Sequence, residues 1–288
     1  MTRLVRNVAI ALAGLVGVLL LAALVLYFVG TAKLNRTYEV VTAELEVPSD
    51  PAATERGAHL ARIHGCTDCH GPGFEGRVMV DAPPFRVVAS NLTTGEGGVG
   101  DEYDARALDA AIRHGVGYDG RALSIMPAAG FHHLSDADAA ALIAHIQQLP
   151  PVDNVLPETE YKPLGRVLAA FALDVDAEVR PGPARSTAPP AGPTAEYGAY
   201  LTSITCAYCH GPELEGADSP VPGSPPAPAL AAAGRWSLAD FERALRTGVT
   251  PDGRTLNPEY MPWTFTARMT DEEIAALHAY LATLSPAE

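Results

Sequence analysis

Four cysteines are the residues of this chain best equipped for chemistry, and all four stand in one arrangement. They read Cys66-Thr-Asp-Cys69-His70 and Cys206-Ala-Tyr-Cys209-His210, each followed by Gly-Pro. C-x-x-C-H is the signature of covalent haem attachment. Two thiols add to the two vinyl groups on one porphyrin edge, and the adjacent histidine then reaches the iron from one face. The spacing therefore assigns Cys66, Cys69, Cys206 and Cys209 to thioether bonds and His70 and His210 to iron. It predicts two covalently bound haem c groups and leaves no cysteine for a disulfide. A thioredoxin-like pair would sit in a βαβ pattern and would not require the histidine. A zinc site could use two cysteine pairs plus histidine. Two copies that consume every cysteine favour haem over both.

Each iron needs a ligand on its far side. Of five methionines, Met1 opens the chain and Met79 lacks a counterpart in the second copy. Met269 aligns with Leu134 just before a helix cap, where an apolar residue acts as a staple. Met126 and Met261 remain. They align with each other, both precede proline, and follow their histidines at similar distance. The thioether is a soft, weak donor that favours the ferrous iron and raises the reduction potential. A six-coordinate iron passes electrons and has no vacancy for substrate. His132 and His133 lie close to Met126 and are the rival ligands in the first copy. His59, His64, His114, His145 and His278 have other residue types at the matching positions and read as surface or core.

The elements that must position these groups also come twice. Arg56-Gly-Ala-His-Leu60 matches Tyr197-Gly-Ala-Tyr-Leu201, Asp119-Gly-Arg121 matches Asp252-Gly-Arg254, and Leu134 to Asp138 matches Met269 to Glu273. A unit of about 100 residues is duplicated, too long and too few for a solenoid. Residues 104–114 and 237–247 have amphipathic helical spacing. Ser135 with Asp138, and Thr270 with Glu273, are N-caps opening helices that run to near Leu149 and Leu284. Strands should be minor. The proximal histidine needs a carbonyl acceptor, and Pro83 or Pro84 and Pro225 or Pro226 fall in the loop that could supply it. Tyr103 and Trp236, and Arg121 and Arg254, align as candidate propionate partners.

Residues 1–36 differ from the rest. Val8 to Val29 is a run of 22 residues without a charge. As a helix it would span roughly 33 Å, the thickness of a bilayer core. A cleaved signal has a shorter apolar stretch, so a retained transmembrane anchor is expected. The remaining chain holds 16 basic and 34 acidic residues, a net charge of −18. That excludes nucleic acid as a partner, since phosphate binding needs a basic face. It favours docking on cationic patches of other proteins. Between the units, Glu178 to Pro193 contains five prolines and reads as a semi-rigid, exposed linker. The apolar run Leu164 to Leu173 before it is a short helix, packed on a domain or touching the membrane surface.

The fold expected is mainly α: two tandem cytochrome c-like helical domains after one N-terminal transmembrane helix. The divisions are an anchor at 1–36, a juxtamembrane linker at 37–52, domain 1 at 53–150, a Pro-rich linker at 151–193 and domain 2 at 194–288. C-x-x-C-H, a distal Met-Pro and a closing helix resemble the class I c-type cytochromes with Met/His ligation. Ser90-Asn-Leu-Thr-Thr and Gly97-Gly-Val-Gly, followed by Met126-Pro127, make the first unit similar to the cytochrome subunits of membrane-bound alcohol and sugar dehydrogenases, which usually carry three haems where this chain has two attachment motifs. The second unit lacks the Asn-Leu-Thr segment. The resemblance implies an electron carrier without catalysis of its own, whose redox partners are a dehydrogenase, a quinol-oxidising complex or a terminal oxidase. It also implies haem domains on the periplasmic side of the cytoplasmic membrane. The competing reading is a dihaem redox enzyme of peroxidase or thiosulfate dehydrogenase type, with a displaceable ligand near Met126, His132 and His133.

Overall fold

The computed structural model describes residues 2–219 and 223–285. The last three residues of the range expected for the second unit, 286–288, lie outside them. Helix α1 (Arg3–Leu34) is long and apolar enough to cross a membrane. Its side chains are almost all exposed, and Gly30 near its end is the buried exception.

Two units of the same plan follow. The first is α2 (Pro51–Ile63), α3 (Cys66–His70), α4 (Ala105–His114), α5 (Ala128–Phe131) and α6 (Asp136–Gln147). Between α3 and α4 it carries a hairpin of β1 (Arg77–Asp81) and β2 (Phe85–Ala89). The second unit is α8 (Ala195–Thr205), α9 (Ala207–His210), α10 (Leu238–Thr247), α11 (Trp263–Thr266) and α12 (Asp271–Leu281). The caps explain the boundaries. Ser135 Oγ accepts from the Asp138 amide at 3.2 Å, and Thr270 and Glu273 form a full capping box. Asp104 and Ser237 cap α4 and α10, which both end on a left-handed glycine, Gly115 and Gly248. The closing helices stop at Gln147 and Leu281, two to three residues before the expected ends, because the chain then breaks into isolated turns.

In each unit the first helix crosses the last at backbone contact. A Cβ on Gly57 would lie 2.0 Å from the Ala141 carbonyl oxygen, and one on Gly198 would lie 1.9 Å from that of Ala276. Around these crossings Leu60, Ile63, Leu142 and Ile143, and in the second unit Leu201, Ile204, Ile274 and Leu277, are buried. Each such side chain contributes about 1.5–3 kcal/mol of transfer free energy.

The segment after the first unit is not a free linker over its whole length. Asn91 Nδ2 and Thr93 Oγ1 both donate to the Val152 carbonyl. Strand β3 (Glu160–Tyr161) adds to β2, giving an antiparallel sheet in the order β1-β2-β3. Helix α7 (Pro163–Ala169) then packs between Pro84 and the end of α1. Glu178, read from sequence as part of an exposed linker, is buried. It accepts from Tyr208 Oη at 2.6 Å and from the Ala129 amide at 2.8 Å. Prolines alone do not expose a segment when a partner hydroxyl and amide can satisfy its polar groups. Residues 181–193 are mostly exposed, as a stiff connector would be.

The two units face each other reciprocally. His59 Nε2 lies 2.8 Å from Glu273 Oε2, and Tyr200 Oη, at the matching position of the other unit, donates to Asp138 Oδ2 at 2.6 Å. Arg56 donates to Tyr197 Oη at 3.2 Å, the two being counterparts in the repeat. Helix α5 touches α8, and α11 touches α2. A Cβ on Gly65 would meet the Phe265 ring at 2.6 Å, and one on Gly130 would meet the Ile204 carbonyl oxygen at 3.1 Å.

Candidate haem-attachment sites

Each C-x-x-C-H motif forms one short helical turn, α3 or α9, directly after the first helix of its unit. The turn ends on Gly71 in one unit and Gly211 in the other, at φ 85° and 87°. The next loop closes back on the histidine: Gly76 and Gly216 donate to the carbonyls of His70 and His210 at 2.7 and 2.8 Å. Phe74 and Leu214 sit in the left-handed region at φ 61° and 58°, a costly place for bulky residues. Both are buried, and each carbonyl accepts from the opposite loop, Leu92 to Phe74 and Leu230 to Leu214. The same strained turn is thus held by the same contacts twice.

The histidine rings are fixed. His70 Nδ1 donates to the Ser90 carbonyl at 2.9 Å and His210 Nδ1 to the Pro228 carbonyl at 2.7 Å. A carbonyl only accepts, so Nδ1 holds the proton and the Nε2 lone pair is left for a metal. The acceptors are therefore not Pro83, Pro84, Pro225 or Pro226. Pro84 instead receives the Lys162 amide at 3.0 Å, on the sheet side of the loop. The physical selector is a glycine: a Cβ on Gly76 would stand 2.6 Å from Ser90 C, and one on Gly216 would stand 3.1 Å from Pro228 C. The acceptor strand comes close where no side chain is in the way. Burial lowers the pKa of both histidines, which keeps the imidazoles neutral, as ligation requires.

Burial also pushes the Cys66 and Cys206 thiols up to about 12. A redox-active C-x-x-C needs the opposite shift. Among the described residues, no three His, Cys, Asp or Glu side chains converge as they would around a bare metal ion. The donor set and the walls do fit haem c. Cys66, Leu92, Tyr103, Met126 and Leu149 pack on the core without being enclosed by it, and so do their counterparts Cys206, Leu230, Trp236, Met261 and Leu284. Leu92, Tyr103 and Leu149 line one pocket with Leu108 and Ile146. Partly buried apolar side chains of this kind, present alike in both units, suit a flat, covalently tethered group. Met126 and Met261 enter short helices α5 and α11 through identical turns, their carbonyls accepting from Ala128 and Trp263 at 2.7 Å.

The other candidates separate. Tyr103 and Trp236 belong to the walls, and burial pushes the Tyr103 phenol up to about 12, so it stays a neutral donor. Arg121 is exposed and engaged with Asp119 at 2.6 Å, and Arg254 is exposed. His132 turns its Nδ1 to the Arg113 carbonyl at 2.8 Å and stacks edge-on with His114 and His133. His59 belongs to the junction between units, and His278 binds the Trp236 carbonyl.

One pair escaped the reading of the sequence. Arg113 is wholly buried, 2.5 Å from Asp109 and 2.7 Å from Asp136, and it donates to the Leu134 carbonyl. Arg246 repeats this with Glu242, Asp271 and the Met269 carbonyl. Each arginine ties α4 or α10 to the start of α6 or α12, and so closes the loop that carries the methionine. Both arginines lie in the helical stretches 104–114 and 237–247 read from the sequence; their partners only become neighbours through the fold.

Comparison with known proteins agrees with this geometry. Residues 195–285 match the family model of cytochrome c, and residues 52–146 match that of cytochrome c oxidase, cbb3-type, subunit III. The chain carries two cytochrome c domains, a class that implies covalently bound haem c, in a mostly helical fold. It is 28% identical, over 85% of its length, to the cytochrome c subunit of alcohol dehydrogenase (quinone) from Gluconacetobacter polyoxogenes. It is 27% identical, over 82% of its length, to the gluconate 2-dehydrogenase cytochrome c subunit of Pantoea cypripedii. A stretch of 50 residues, 17% of the chain and 10% of the relative, is 42% identical to the fructose dehydrogenase cytochrome subunit of Gluconobacter japonicus. The chain spans 59% and 60% of the lengths of the first two relatives. These likenesses support an electron-transfer role.

Proposed function

We propose that this chain is a membrane-anchored dihaem cytochrome c that passes electrons on the periplasmic side of the cytoplasmic membrane, as the cytochrome subunit of a membrane-bound dehydrogenase. The observation that carries the reading is the twofold recurrence of one ligand geometry. His70 on Ser90 and His210 on Pro228 each present a neutral Nε2, and each histidine directly follows the second cysteine of its motif.

In this reading Cys66 and Cys69 hold the first haem and Cys206 and Cys209 the second. His70 with Met126 would hold the first haem iron, and His210 with Met261 the second. Bound haem iron supplies a one-electron couple, which His/Met ligation sets high. The protein's share is to orient. The Ser90 and Pro228 carbonyls hold the rings and raise their basicity. The Arg113 and Arg246 clamps hold the methionine loops. The apolar walls disfavour the extra charge of the oxidised state. Helix α1 is the anchor, and the acidic body docks on cationic partner surfaces. A dehydrogenase as electron donor, and membrane quinone or a terminal oxidase as acceptor, are the partners this role requires.

Alkaline pyridine spectra of the purified holoprotein, set against its protein concentration, test the proposal. Two haem c per chain are expected, and one in the Cys66→Ala, Cys69→Ala double variant. A colourless product, or one carrying zinc in place of iron, would refute it.

A further inference from the structure

Helix α7 is a short element with three different faces. Gly165 and Ala169 are buried, with a Cβ on Gly165 only 2.0 Å from the Pro84 carbonyl oxygen of the first unit. Arg166 and Ala170 meet α1: a Cβ on Gly30 would lie 1.7 Å from the Arg166 carbonyl oxygen and 3.1 Å from the Ala170 amide nitrogen. Leu164 and half-buried Leu168 fall at i and i+4 on the third face, and Phe171 follows in the turn that closes the helix, its amide donating to the Leu168 carbonyl at 3.2 Å. Leu164 is 52% exposed and Phe171 66% exposed.

The place of this face along α1 decides what covers it. The apolar run Val8 to Val29 would fill the hydrocarbon layer, Gly30 is the next residue, and Lys33 is the first charge beyond it. With a rise of about 1.5 Å per residue, α7 lies within one turn of the edge of the hydrocarbon layer that the run would fill. It cannot drift from that level. Lys33 Nζ donates to the Leu173 carbonyl at 3.0 Å, and Asp176 faces Lys33, Arg36 and the Tyr38 hydroxyl. Phe28, on the last turn of the apolar run, is also exposed. Apolar side chains at headgroup depth beside a span are buried in the interface by the lipid itself.

We infer that α7 is a membrane-surface foot: Leu164, Leu168 and Phe171 insert into the headgroup–acyl boundary of the leaflet from which α1 emerges. Gly165 against Pro84 then transmits that placement to the first unit. The haem-binding body stands on the bilayer at a fixed height instead of swinging on a tether. This rests on α1 being a membrane span.

The test uses full-length holoprotein in vesicles of phosphatidylethanolamine and phosphatidylglycerol. A photoreactive p-benzoylphenylalanine is placed at Phe171, at Leu20 in the middle of α1, or at Leu238 on the exposed start of α10. After irradiation, lipid adducts are read as a mass shift. Adducts are expected at Leu20 and Phe171, with Phe171 at least about tenfold above Leu238. Adducts at Leu20 with Phe171 no better than Leu238 would overturn the foot and leave the span intact. Adducts at neither Leu20 nor Phe171 would remove the span and the foot together.

Discussion

His59 and Glu273 meet across the junction of the two units at 2.8 Å, and their repeat counterparts Tyr200 and Asp138 make the same contact in the opposite direction at 2.6 Å. Both acids are the N3 residues of closing helices: Glu273 completes a capping box, whereas in the first unit the Ser135 amide donates to Tyr200 Oη of the other unit. Burial alone would raise Glu273, but the bond to His59, the Thr270 amide, and the His59 and Arg56 charges hold its carboxyl down at about 2.

That depression makes the junction acid-sensitive. The unfolded carboxylate titrates near 4.5 and the folded one near 2. Stability from Glu273 is fully present above pH 4.5 and is lost as pH falls towards 2, in total about 3 kcal/mol. Glu273→Gln should be less stable at pH 7 and lose the steep fall between those limits. Denaturant midpoints of the holoprotein measured against pH check this.

The axial assignment predicts separable effects. Met126→Ala should lower the potential of one haem by on the order of 0.1 V, within the ~0.8 V range that axial ligands span, and leave the other unchanged. Met261→Ala should do the converse. Redox titration followed optically distinguishes them. Two unaltered potentials in both variants would rule out methionine ligation.

The glycine crossings should tolerate nothing larger. Alanine is worth about 1 kcal/mol over glycine in an exposed helix. At Gly57 and Gly198, however, its methyl would stand 2.0 and 1.9 Å from a backbone carbonyl oxygen. Overpacking against backbone should win, so Gly57→Ala and Gly198→Ala should each lose about 1–3 kcal/mol in chemical denaturation.

The two arginine clamps should differ in strength. Arg113 and Asp109 are both fully buried, whereas the Arg246 side chain is 28% exposed and its partners more so. Removing one partner of a buried pair costs about 3–5 kcal/mol, and an exposed pair is worth about 1 kcal/mol or less. Arg113→Met should therefore be much the more destabilising of Arg113→Met and Arg246→Met, in melting temperature and in retention of the first haem.

Much of this was written in local sequence. C-x-x-C-H sets its own turn, and Ser135 and Thr270 announce the helices they cap. The closing of the ligand shell was not local. Ser90 accepts from His70 because Gly76 lets the strand approach, a fact of tertiary clearance that proline positions do not encode. The junction was hidden for a different reason. His59 and Tyr200 are unlike residues at one repeat position, and unlikeness reads as lack of a role until each is seen facing the other unit's acid. Glu178 was obscured by the prolines after it, since its partners, Tyr208 and Ala129, lie in both units.

Contacts that run from each half to the matching place on the other are those of a symmetric dimer made of single units. Here the two halves are one chain. Joined by a short connector they meet at a fixed effective concentration, so the pairing does not weaken on dilution. Fusion also ends the obligation to be identical. A change on one side of the junction is no longer repeated on the other, and two centres built on one plan can be tuned apart.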